Sequence, residues 1–265
     1  MSRTIQEVID TILQAMPKVP LKDTVDTIKS GDPSQPVTGI VTTFLASHAV
    51  IQRAIALGAN LIITHEPTFY SHRDKVDWLA GDPVYEAKRQ LLEENGIVVW
   101  RFHDYWHSHQ PDGINTGVIR QLGWEQYVES EARSCPIFAL PPTTVGDLAL
   151  YLKSRLGSHI VRVVGSLEMV CHRAALAVGA SGGQWHIKFL GKEDVDVLIA
   201  GEVSEWETVE YVRDASAQGR TLALILVGHV NSEEAGMEYL VEWLRPRFPD
   251  LAITHLPTGD PFHPV

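Results

Sequence analysis

Hydrophobic residues along the chain follow two spacings, the 3.6-residue period of an amphipathic helix and short continuous runs rich in β-branched residues. The runs 39–45 and 61–64 are separated by an amphipathic stretch that Ser47 can cap and Gly58 can end. Because this strand–helix–strand order requires a parallel pair with a right-handed crossover, the pattern predicts an α/β fold. The expected helices are 4–16 (ended by Pro17 and Pro20), 47–57, 83–95, 112–123, 144–156, 207–218 and 234–248, and the expected strands are 39–45, 61–64, 97–100, 161–164, 174–178, 195–200 and 222–227.

The order of elements indicates two similar α/β halves, each with a mainly parallel sheet flanked by helices. Between Trp124 and Pro142 the composition becomes irregular, and we expect the halves to meet there. The predicted division is an N-terminal half over residues 1–130 and a C-terminal half over residues 131–265. The halves look alike in plan, without detectable sequence repetition.

Composition narrows the class of protein. A chain of 265 residues with 45% hydrophobic residues can bury a substantial core, and its net charge of −11 would repel nucleic acid phosphates and anionic membranes. No segment has the ~20 apolar residues needed to span a bilayer, and the first residues lack the plan of a signal peptide. We therefore expect a cytoplasmic protein. Cys135 and Cys171 form no CxxC motif and are interpreted as buried structural residues.

Metal-capable side chains follow three of the predicted strands. His65 and Glu66 follow the strand 61–64, His103 and His107 follow the strand 97–100, and a third pair, His229 and Glu233, follows the strand 222–227. Because the carboxyl ends of parallel strands share one edge of a sheet, these groups are expected to converge. Imidazole with carboxylate suits Zn, Fe, Mn, Co or Ni, and so many ligands favour two adjacent divalent ions.

Each pair also has an ordinary structural interpretation. Glu66 alone is typical of a solvated loop, and the imidazoles of His103, His107 and His109 could pack with Tyr105 and Trp106. The last pair, His229 with Glu233, could be a strand exit followed by a helix-capping acid. Convergence at one sheet edge is what favours the metal site.

The glycine-rich turn 179–183 follows a predicted strand, so its backbone N–H groups could face an anion. It lacks the GxGxxG spacing and the lysine of a GxxxxGK[ST] loop, and a tight turn is the simpler interpretation. Ser181 lies inside this turn, but the sequence shows no histidine and acid in an evident order for it. A serine hydrolase is therefore not expected.

Five segments resemble the NIF3-like family (NGG1-interacting factor 3, also known as GTP cyclohydrolase 1 type 2 homologs) in order and separation. They are GANLIITHEPTFY, FHDYWHSHQPDGIN, VGASGG, LIAGEVSEWETVEYVRDA and LVGHVNSEEAGM. The resemblance covers nearly the whole chain. It implies a dinuclear metal-binding α/β protein that assembles as a toroidal homohexamer, with the metals between its two halves.

The resemblance also assigns residues. The family's strand-tip pair of histidines falls on His65 and Glu66, and its H-x-x-x-D element falls on His103 and His107. One histidine is thus exchanged for a carboxylate and one carboxylate for a histidine, so the number of ligands and their total charge are kept. The GH-x-x-x-E element is kept as His229 and Glu233, whereas Asp104 and His109 are reserve ligands, and Glu202, Ser204 and Glu205 match the GE-x-S-E stretch.

The expected function follows from these ligands. We expect hydrolase-type chemistry on a small molecule through metal-activated water, with Glu202 or Glu205 as proton carrier. The alternative is a non-catalytic binding or regulatory module in which the metals are structural or sensed. A third possibility is that a nucleic acid passes through the hole of the toroidal hexamer, and the acidic composition argues against it.

Overall fold

The computed structural model describes residues 3–17, 21–130 and 135–265, and the chain divides into two compact units. The first unit contains Met1–Ile114 and Gly236–Thr258, and the second contains Asn115–Ala235 and Gly259–Val265. This division differs from the contiguous halves 1–130 and 131–265, because the chain returns to the first unit near its end. Pro20, expected to help end the first helix, and residues 131–134, where the halves were expected to meet, lie outside the described residues.

Helices and strands alternate through most of the described chain. The helices are α1 (Ile5–Gln14), α2 (His48–Ala56), α3 (Pro83–Glu94), α4 (Asp104–Ser108), α5 (Gly113–Leu122), α6 (Val145–Leu156), α7 (Gln184–Leu190), α8 (Glu210–Ala217) and α9 (His229–Leu244), and the strands are β1 (Ile28–Ser30), β2 (Ile40–Thr43), β3 (Leu61–Thr64), β4 (Val98–Arg101), β5 (Val128–Ser130), β6 (Ile137–Thr144), β7 (Arg162–Val164), β8 (Val170–Ala177), β9 (Val197–Ala200), β10 (Ala223–Leu226) and β11 (Ile253–His255).

The first unit is built on a five-stranded sheet in the order β1-β4-β3-β2-β11. β4, β3, β2 and β11 are parallel, and only β1 at the edge runs antiparallel. The strand–helix–strand unit of β2, α2 and β3 confirms the prediction, with Ser47 Oγ accepting from the Val50 N–H at 3.2 Å as the cap of α2. The last strand, β11, was not predicted. It pairs with β2, which is why the end of the chain belongs to this unit.

The second unit is built on a six-stranded mixed sheet in the order β5-β6-β8-β9-β10-β7. β8, β9 and β10 are parallel, whereas β5, β6 and β7 pair antiparallel with their neighbours. β6 was not predicted from the sequence, because Pro141 and Pro142 interrupt its apolar pattern. The register between β6 and β8 shifts between Ala139 and Thr143, where these prolines lie, and a bulge is where a strand tolerates residues without an N–H.

Among the described residues, none of the helices combines the length and the apolar character that crossing a bilayer requires.

Both sheets have apolar cores beneath their helices. In the first unit Ile51 of α2 and Leu92 of α3 belong to one buried cluster with Ile62 and Val99 of the sheet. In the second unit Leu190 of α7 belongs to a cluster with residues of β8, β9 and β10. The predicted α/β fold with two sheets flanked by helices is confirmed, but the second sheet is mixed rather than mainly parallel, because β5, β6 and β7 pair antiparallel with their neighbours.

Candidate metal centre

His65 lies directly after β3, at the carboxyl end of the parallel strands. Its backbone N–H donates to the Phe44 carbonyl at 3.1 Å, which continues the pairing of β3 with β2 by one residue. The side chain of His65 is fully buried. The strand therefore fixes the backbone of this residue while the loop that follows is free to change direction.

His103 and His107 are presented by α4, the short helix that follows β4. His103 is its N-cap residue and His107 lies in its last turn, so the two side chains are one helical turn apart on one face. The carboxylate of Asp26 holds the start of this helix by accepting from the backbone N–H groups of His103 at 2.9 Å and Tyr105 at 2.8 Å. Burial raises the pKa of Asp26 above its ordinary value, while these backbone hydrogen bonds oppose that rise.

The three imidazoles come together. Ring centroids lie 4.5 Å apart for His65 and His103, 5.0 Å for His65 and His107, and 4.9 Å for His103 and His107. One ring nitrogen from each residue lies within 4.8 Å of the others. This is the spacing at which three imidazoles can share a cation. The sequence prediction that the first two strand tips converge is confirmed within this unit.

Carboxylates behind two of the rings decide which nitrogen faces the cluster. His103 Nδ1 lies 2.9 Å from Asp104 Oδ1, and His107 Nδ1 lies 2.9 Å from Asp112 Oδ2. The hydrogen bond from His103 holds the pKa of Asp104 well below its usual range. With Nδ1 engaged, Nε2 is the nitrogen left to bind a metal, and a carboxylate behind a ligating histidine is the usual arrangement in metalloproteins.

Glu66 points into the same cluster. Its Oε1 lies 3.6 Å from His103 Nε2, and its Oε2 lies 3.4 Å from Arg101 Nη2. The side chain of Arg101 is fully buried, and its Nε donates to the His65 carbonyl at 2.9 Å. A buried guanidinium thus holds both the loop after β3 and the carboxylate that it carries.

The reserve ligands have other partners. Asp104 accepts from the Val25 N–H and the Thr24 hydroxyl in addition to facing His103, so it orients rather than adds to the cluster. His109 is half-buried, and its ring packs against Trp106 with centroids 5.0 Å apart. The alternative of a packed aromatic cluster therefore describes His109 with Trp106, whereas His103 and His107 pack against His65.

In the second unit, His229 and Glu233 lie on a helix rather than at a strand tip. α9 begins at His229, five residues before the predicted helix start, because Gly228 with φ of +97° turns the chain immediately after β10. His229 Nε2 lies 3.1 Å from Glu233 Oε2, one helical turn on, and its Nδ1 lies 3.3 Å from Glu202 Oε1. The imidazole is therefore held between two carboxylates.

Glycine makes room for the buried carboxylate of Glu233. A Cβ on Gly179 would come within 2.3 Å of Glu233 Oε1, and one on Gly201 would come within 2.5 Å of Ser232 Oγ. Ser232 Oγ accepts from the Gly179 N–H at 2.9 Å. Gly179, the first glycine of the turn 179–183, is thus needed so that the Glu233 carboxylate can lie close to the backbone of the turn.

Glu205 lies apart from these groups. Its side chain is largely exposed, and its Oε1 pairs with Arg162 Nη1 at 2.9 Å. Glu202, by contrast, lines a cavity together with Val203 and Ser204 of the same stretch. The structure thus brings together His65, Glu66, His103 and His107 in the first unit, and Glu202, His229 and Glu233 in the second. That the two sets bind a common pair of metal ions stays a prediction.

Three residues that hold the candidate ligands in place were not predicted from the sequence: Asp26, Arg101 and Asp112. Asp112 and Asp26 gave no signal, because isolated aspartates are common in loops. Arg101 could have been noticed as a charged residue at the end of the apolar run 97–100. Such a charge at the end of a buried strand needs a partner, and here Glu66 is that partner.

The donor set suits a borderline divalent ion. Neutral imidazole nitrogens with a carboxylate are the ligands of Zn, Fe, Mn, Co and Ni, whereas calcium sites use oxygen alone. The cluster contains one buried imidazole, that of His65, and two half-buried imidazoles that carboxylates orient from behind, which matches this chemistry. The fold and the site therefore define an α/β protein with a histidine-rich group that can hold a metal.

Comparisons with known proteins identify the family. The sequence model described as Duf34/NIF3 (NGG1p interacting factor 3) matches residues 4–260. A protein of Escherichia coli K12 named GTP cyclohydrolase 1 type 2 homolog is 30% identical over 230 residues, covering 85% of this chain and 86% of that protein. A protein of the same name from Clostridium perfringens is 28% identical over 235 residues, covering 85% of each chain. The chain belongs to the DUF34/NIF3 family.

A solved structure agrees with this fold. The crystal structure of the Staphylococcus aureus hypothetical protein SA1388 superposes with a TM-score of 0.78 at 19% identity, covering 100% of both chains. At this level of identity the likeness shows the shared fold alone. The family resemblance found in the sequence is confirmed.

Proposed function

We propose that this chain binds two divalent transition-metal ions and acts as a metal-dependent hydrolase on a small molecule. The observation that carries the proposal is the cluster of His65, His103 and His107, whose ring nitrogens lie within 4.8 Å of one another. The carboxylates of Asp104 and Asp112 orient two of these rings toward it. Glu66, His229 and Glu233 complete the proposed ligands.

When bound, ions of this class supply Lewis acidity, which lowers the pKa of water and polarises a substrate carbonyl or phosphoryl oxygen. The residues of the chain bind and orient. Arg101 balances the charge of Glu66 from its buried side and helps to hold that carboxylate toward the imidazoles. Asp104 and Asp112 keep the Nδ1 hydrogens of His103 and His107 in place, so that Nε2 stays available.

Glu202 is the proposed proton carrier. Its Oε1 lies 3.3 Å from His229 Nδ1, and its side chain is 58% exposed, so the carboxylate can exchange protons with solvent. Glu205 is the second candidate for this role, although in this structure its carboxylate pairs with Arg162. The variants Glu202→Gln and Glu205→Gln distinguish the two candidates. The proton carrier is the residue whose replacement lowers turnover without lowering metal content.

Metal analysis of protein prepared without chelators tests the binding part of the proposal. We expect at least one equivalent of transition metal per chain in the wild type, a large loss in His107→Ala, and no loss in His109→Ala, whose histidine lies two residues away and packs on Trp106. The pair of substitutions His229→Ala and Glu233→Ala should remove part of the metal if both units contribute ligands. Less than one equivalent in the wild type would contradict the proposal.

Activity tests the hydrolase part. Metal-loaded protein would be screened against phosphoesters, nucleotides and cyclic amides, with His107→Ala as the matched control. Turnover that requires His107 supports the hydrolase, whereas no turnover with the site fully loaded favours the non-catalytic binding or regulatory module. We further propose a cytoplasmic homohexamer, as the family resemblance implies, and light scattering in solution measures that state.

A further inference from the structure

Ser181 lies at the middle of the turn that connects β8 to α7, with glycines two residues before and after it. Gly179 and Gly183 have positive φ angles of +68° and +71°, so the chain turns sharply on either side of the serine. A serine between glycines on a strand-to-helix turn is the setting in which α/β hydrolases expose a nucleophilic hydroxyl. Ser181 is exposed in this structure.

A histidine that the sequence analysis did not single out lies behind this serine. His186, in the first turn of α7, places Nε2 3.2 Å from Ser181 Oγ. Its Nδ1 lies 3.1 Å from Thr208 Oγ1, and the side chains of both His186 and Thr208 are fully buried. Burial lowers the pKa of His186 to about 4, so the ring is neutral at pH 7.

The hydroxyl groups of Ser181 and Thr208 are compatible with one tautomer of the neutral His186 ring. A neutral imidazole has one N–H donor and one acceptor nitrogen. If Nδ1–H donates to Thr208 Oγ1, the lone pair of Nε2 accepts the hydroxyl hydrogen of Ser181. Thr208 lies in the π-helical turn Glu205–Val209, which leads into α8, so its position is fixed by the backbone rather than by a mobile loop.

A cavity of about 520 Å³ lies against the turn that carries Ser181. It is lined by the neighbours of Ser181 in the turn, Ala180 and Gly182, and by the carboxylate residues Glu202 and Glu207. The Glu207 carboxylate lies against the turn, since a Cβ on Gly183 would come within 3.0 Å of its Oε2. Two carboxylates at one cavity favour a ligand with a cationic group.

We propose that Ser181 is a nucleophile toward activated esters that carry a cationic group, with His186 as its proton acceptor and Thr208 as a positioning residue. Ser181 Oγ forms a bond to the acyl carbon while its proton passes to His186 Nε2. The ester C–O bond then breaks, and the leaving alcohol takes the proton from Nε2. Water repeats the sequence to release the acid and restore the serine.

The acylation is slow compared with that of a serine protease. Thr208 offers a neutral hydroxyl where those enzymes place a carboxylate, so the imidazolium that forms on His186 gains no ion pair. The reacting groups differ from those of the metal-dependent hydrolysis proposed above, because none of Ser181, His186 and Thr208 is among the proposed metal ligands. The two sites share Glu202, which lines this cavity and is the proposed proton carrier of the metal centre.

Covalent labelling tests the proposal. Wild-type protein would be incubated with a fluorophosphonate, and the adduct counted by intact mass and located by peptide mass spectrometry. We expect one adduct on Ser181, none at that position in Ser181→Ala, and a labelling rate at least tenfold lower in His186→Gln, whose amide keeps hydrogen bonds but is not a base. Ser166→Ala removes an exposed serine elsewhere in this unit and should leave the rate unchanged.

The proposal would be overturned if wild-type protein formed no adduct on Ser181, a result that depends on no variant. It would also be overturned if folded His186→Gln were labelled at the same rate as wild type.

Two nitrophenyl esters matched in length, one with an ammonium and one with a carboxylate at the end of the acyl chain, test the ligand class. Faster acylation of Ser181 by the ammonium ester is expected, and the reverse order would overturn the cationic preference. Labelling that persists in His107→Ala separates this site from the metal centre, and labelling lost in that variant would contradict their independence.

Discussion

The Arg101 guanidinium lies 3.4 Å from the Glu66 carboxylate, Nη2 to Oε2, at the end of β4. The same guanidinium donates from Nε to the His65 carbonyl and from Nη1 to the His72 carbonyl. One buried cation thus holds the loop after β3 and faces the carboxylate that stands where the family resemblance places a histidine. The charge pair therefore accommodates a glutamate at position 66.

Replacing Arg101 by lysine should weaken this loop. Lysine keeps the charge but lacks the planar fork, so at least one of the two carbonyls loses its donor. We expect a loss of about 2 kcal/mol in the free energy of unfolding, measured by urea denaturation, together with lower metal content. Arg89→Lys, on the exposed side of α3, is the control and should leave stability nearly unchanged. Equal stabilities of the two variants would show that Arg101 is only a space-filling residue.

Replacing Asp112 by asparagine should weaken metal binding without removing a ligand. The Asp112 carboxylate lies 2.9 Å from His107 Nδ1, and an amide there can hold the ring in either tautomer. We expect zinc affinity to fall about 10-fold to 100-fold, measured by competition with a chromophoric chelator. Asp147→Asn changes a carboxylate that accepts from the Thr144 hydroxyl and is the matched control. Unchanged affinity in Asp112→Asn would count against His107 as a ligand.

Alanine variants of two glycines with similar backbone angles distinguish the cost of backbone strain from the cost of a steric clash. Gly179 and Gly157 have φ of +68° and +66°, but a Cβ on Gly179 would meet Glu233 at 2.3 Å, whereas one on Gly157 would meet nothing within 4 Å. Gly157→Ala should cost about 1 kcal/mol from its backbone alone. Gly179→Ala should cost about 2 kcal/mol more, because the buried Glu233 carboxylate must move. Thermal unfolding of both variants measures the difference, and equal costs would mean that the Glu233 side chain yields freely.

His186 makes stability depend on pH in a defined window. Its pKa is lowered from 6.5 to about 4 by burial, so between these values the unfolded chain binds a proton that the folded chain does not. The contribution of His186 is therefore fully present above pH 6.5 and is lost as the pH falls toward 4. Between pH 7.5 and 4.5, wild type should lose about 2 kcal/mol more of its unfolding free energy than His186→Gln.

Urea denaturation at the two pH values measures this difference. The control is His172→Gln, which removes an exposed histidine and should follow the wild type. Parallel loss in wild type and His186→Gln would show that other groups carry the acid dependence.

Both cysteines should be inert in the folded protein. Cys135 and Cys171 are buried, and burial raises the pKa of their thiols to about 12 and about 11. Little thiolate is then present at pH 8, so a disulfide reagent such as Ellman's should release no colour from native protein and two equivalents after denaturation. Rapid reaction of the native protein would contradict their structural role.

The hydrophobic pattern predicted seven of the described strands, β2, β3, β4, β7, β8, β9 and β10, and missed β1, β5, β6 and β11. β2, β3, β9 and β10 are short, fully buried strands made of apolar and β-branched residues, and glycines lie close to their ends. β6 and β11 are strands whose pattern is broken by prolines or by polar residues. Their pairing depends on a distant partner strand, which local sequence does not encode.

The candidate ligands were found from sequence because parallel strands end at one edge of a sheet. His65, His103 and His107 lie together for that reason, although α4 was not predicted and sets the one-turn spacing of the last two. The orienting groups were not found. Asp26, Asp112 and Arg101 act through single contacts across the fold, and no local periodicity marks them.

By itself, the sequence determined the fold class, the family and the identity of the metal-capable side chains, since these depend on periodicity and on motifs a few residues long. Only the tertiary structure decided which nitrogen of each imidazole faces its neighbours, which charge balances Glu66, and that His186 lies behind Ser181. These contacts depend on directions and distances of a few ångströms, and packing sets them only once the helices lie on their sheets.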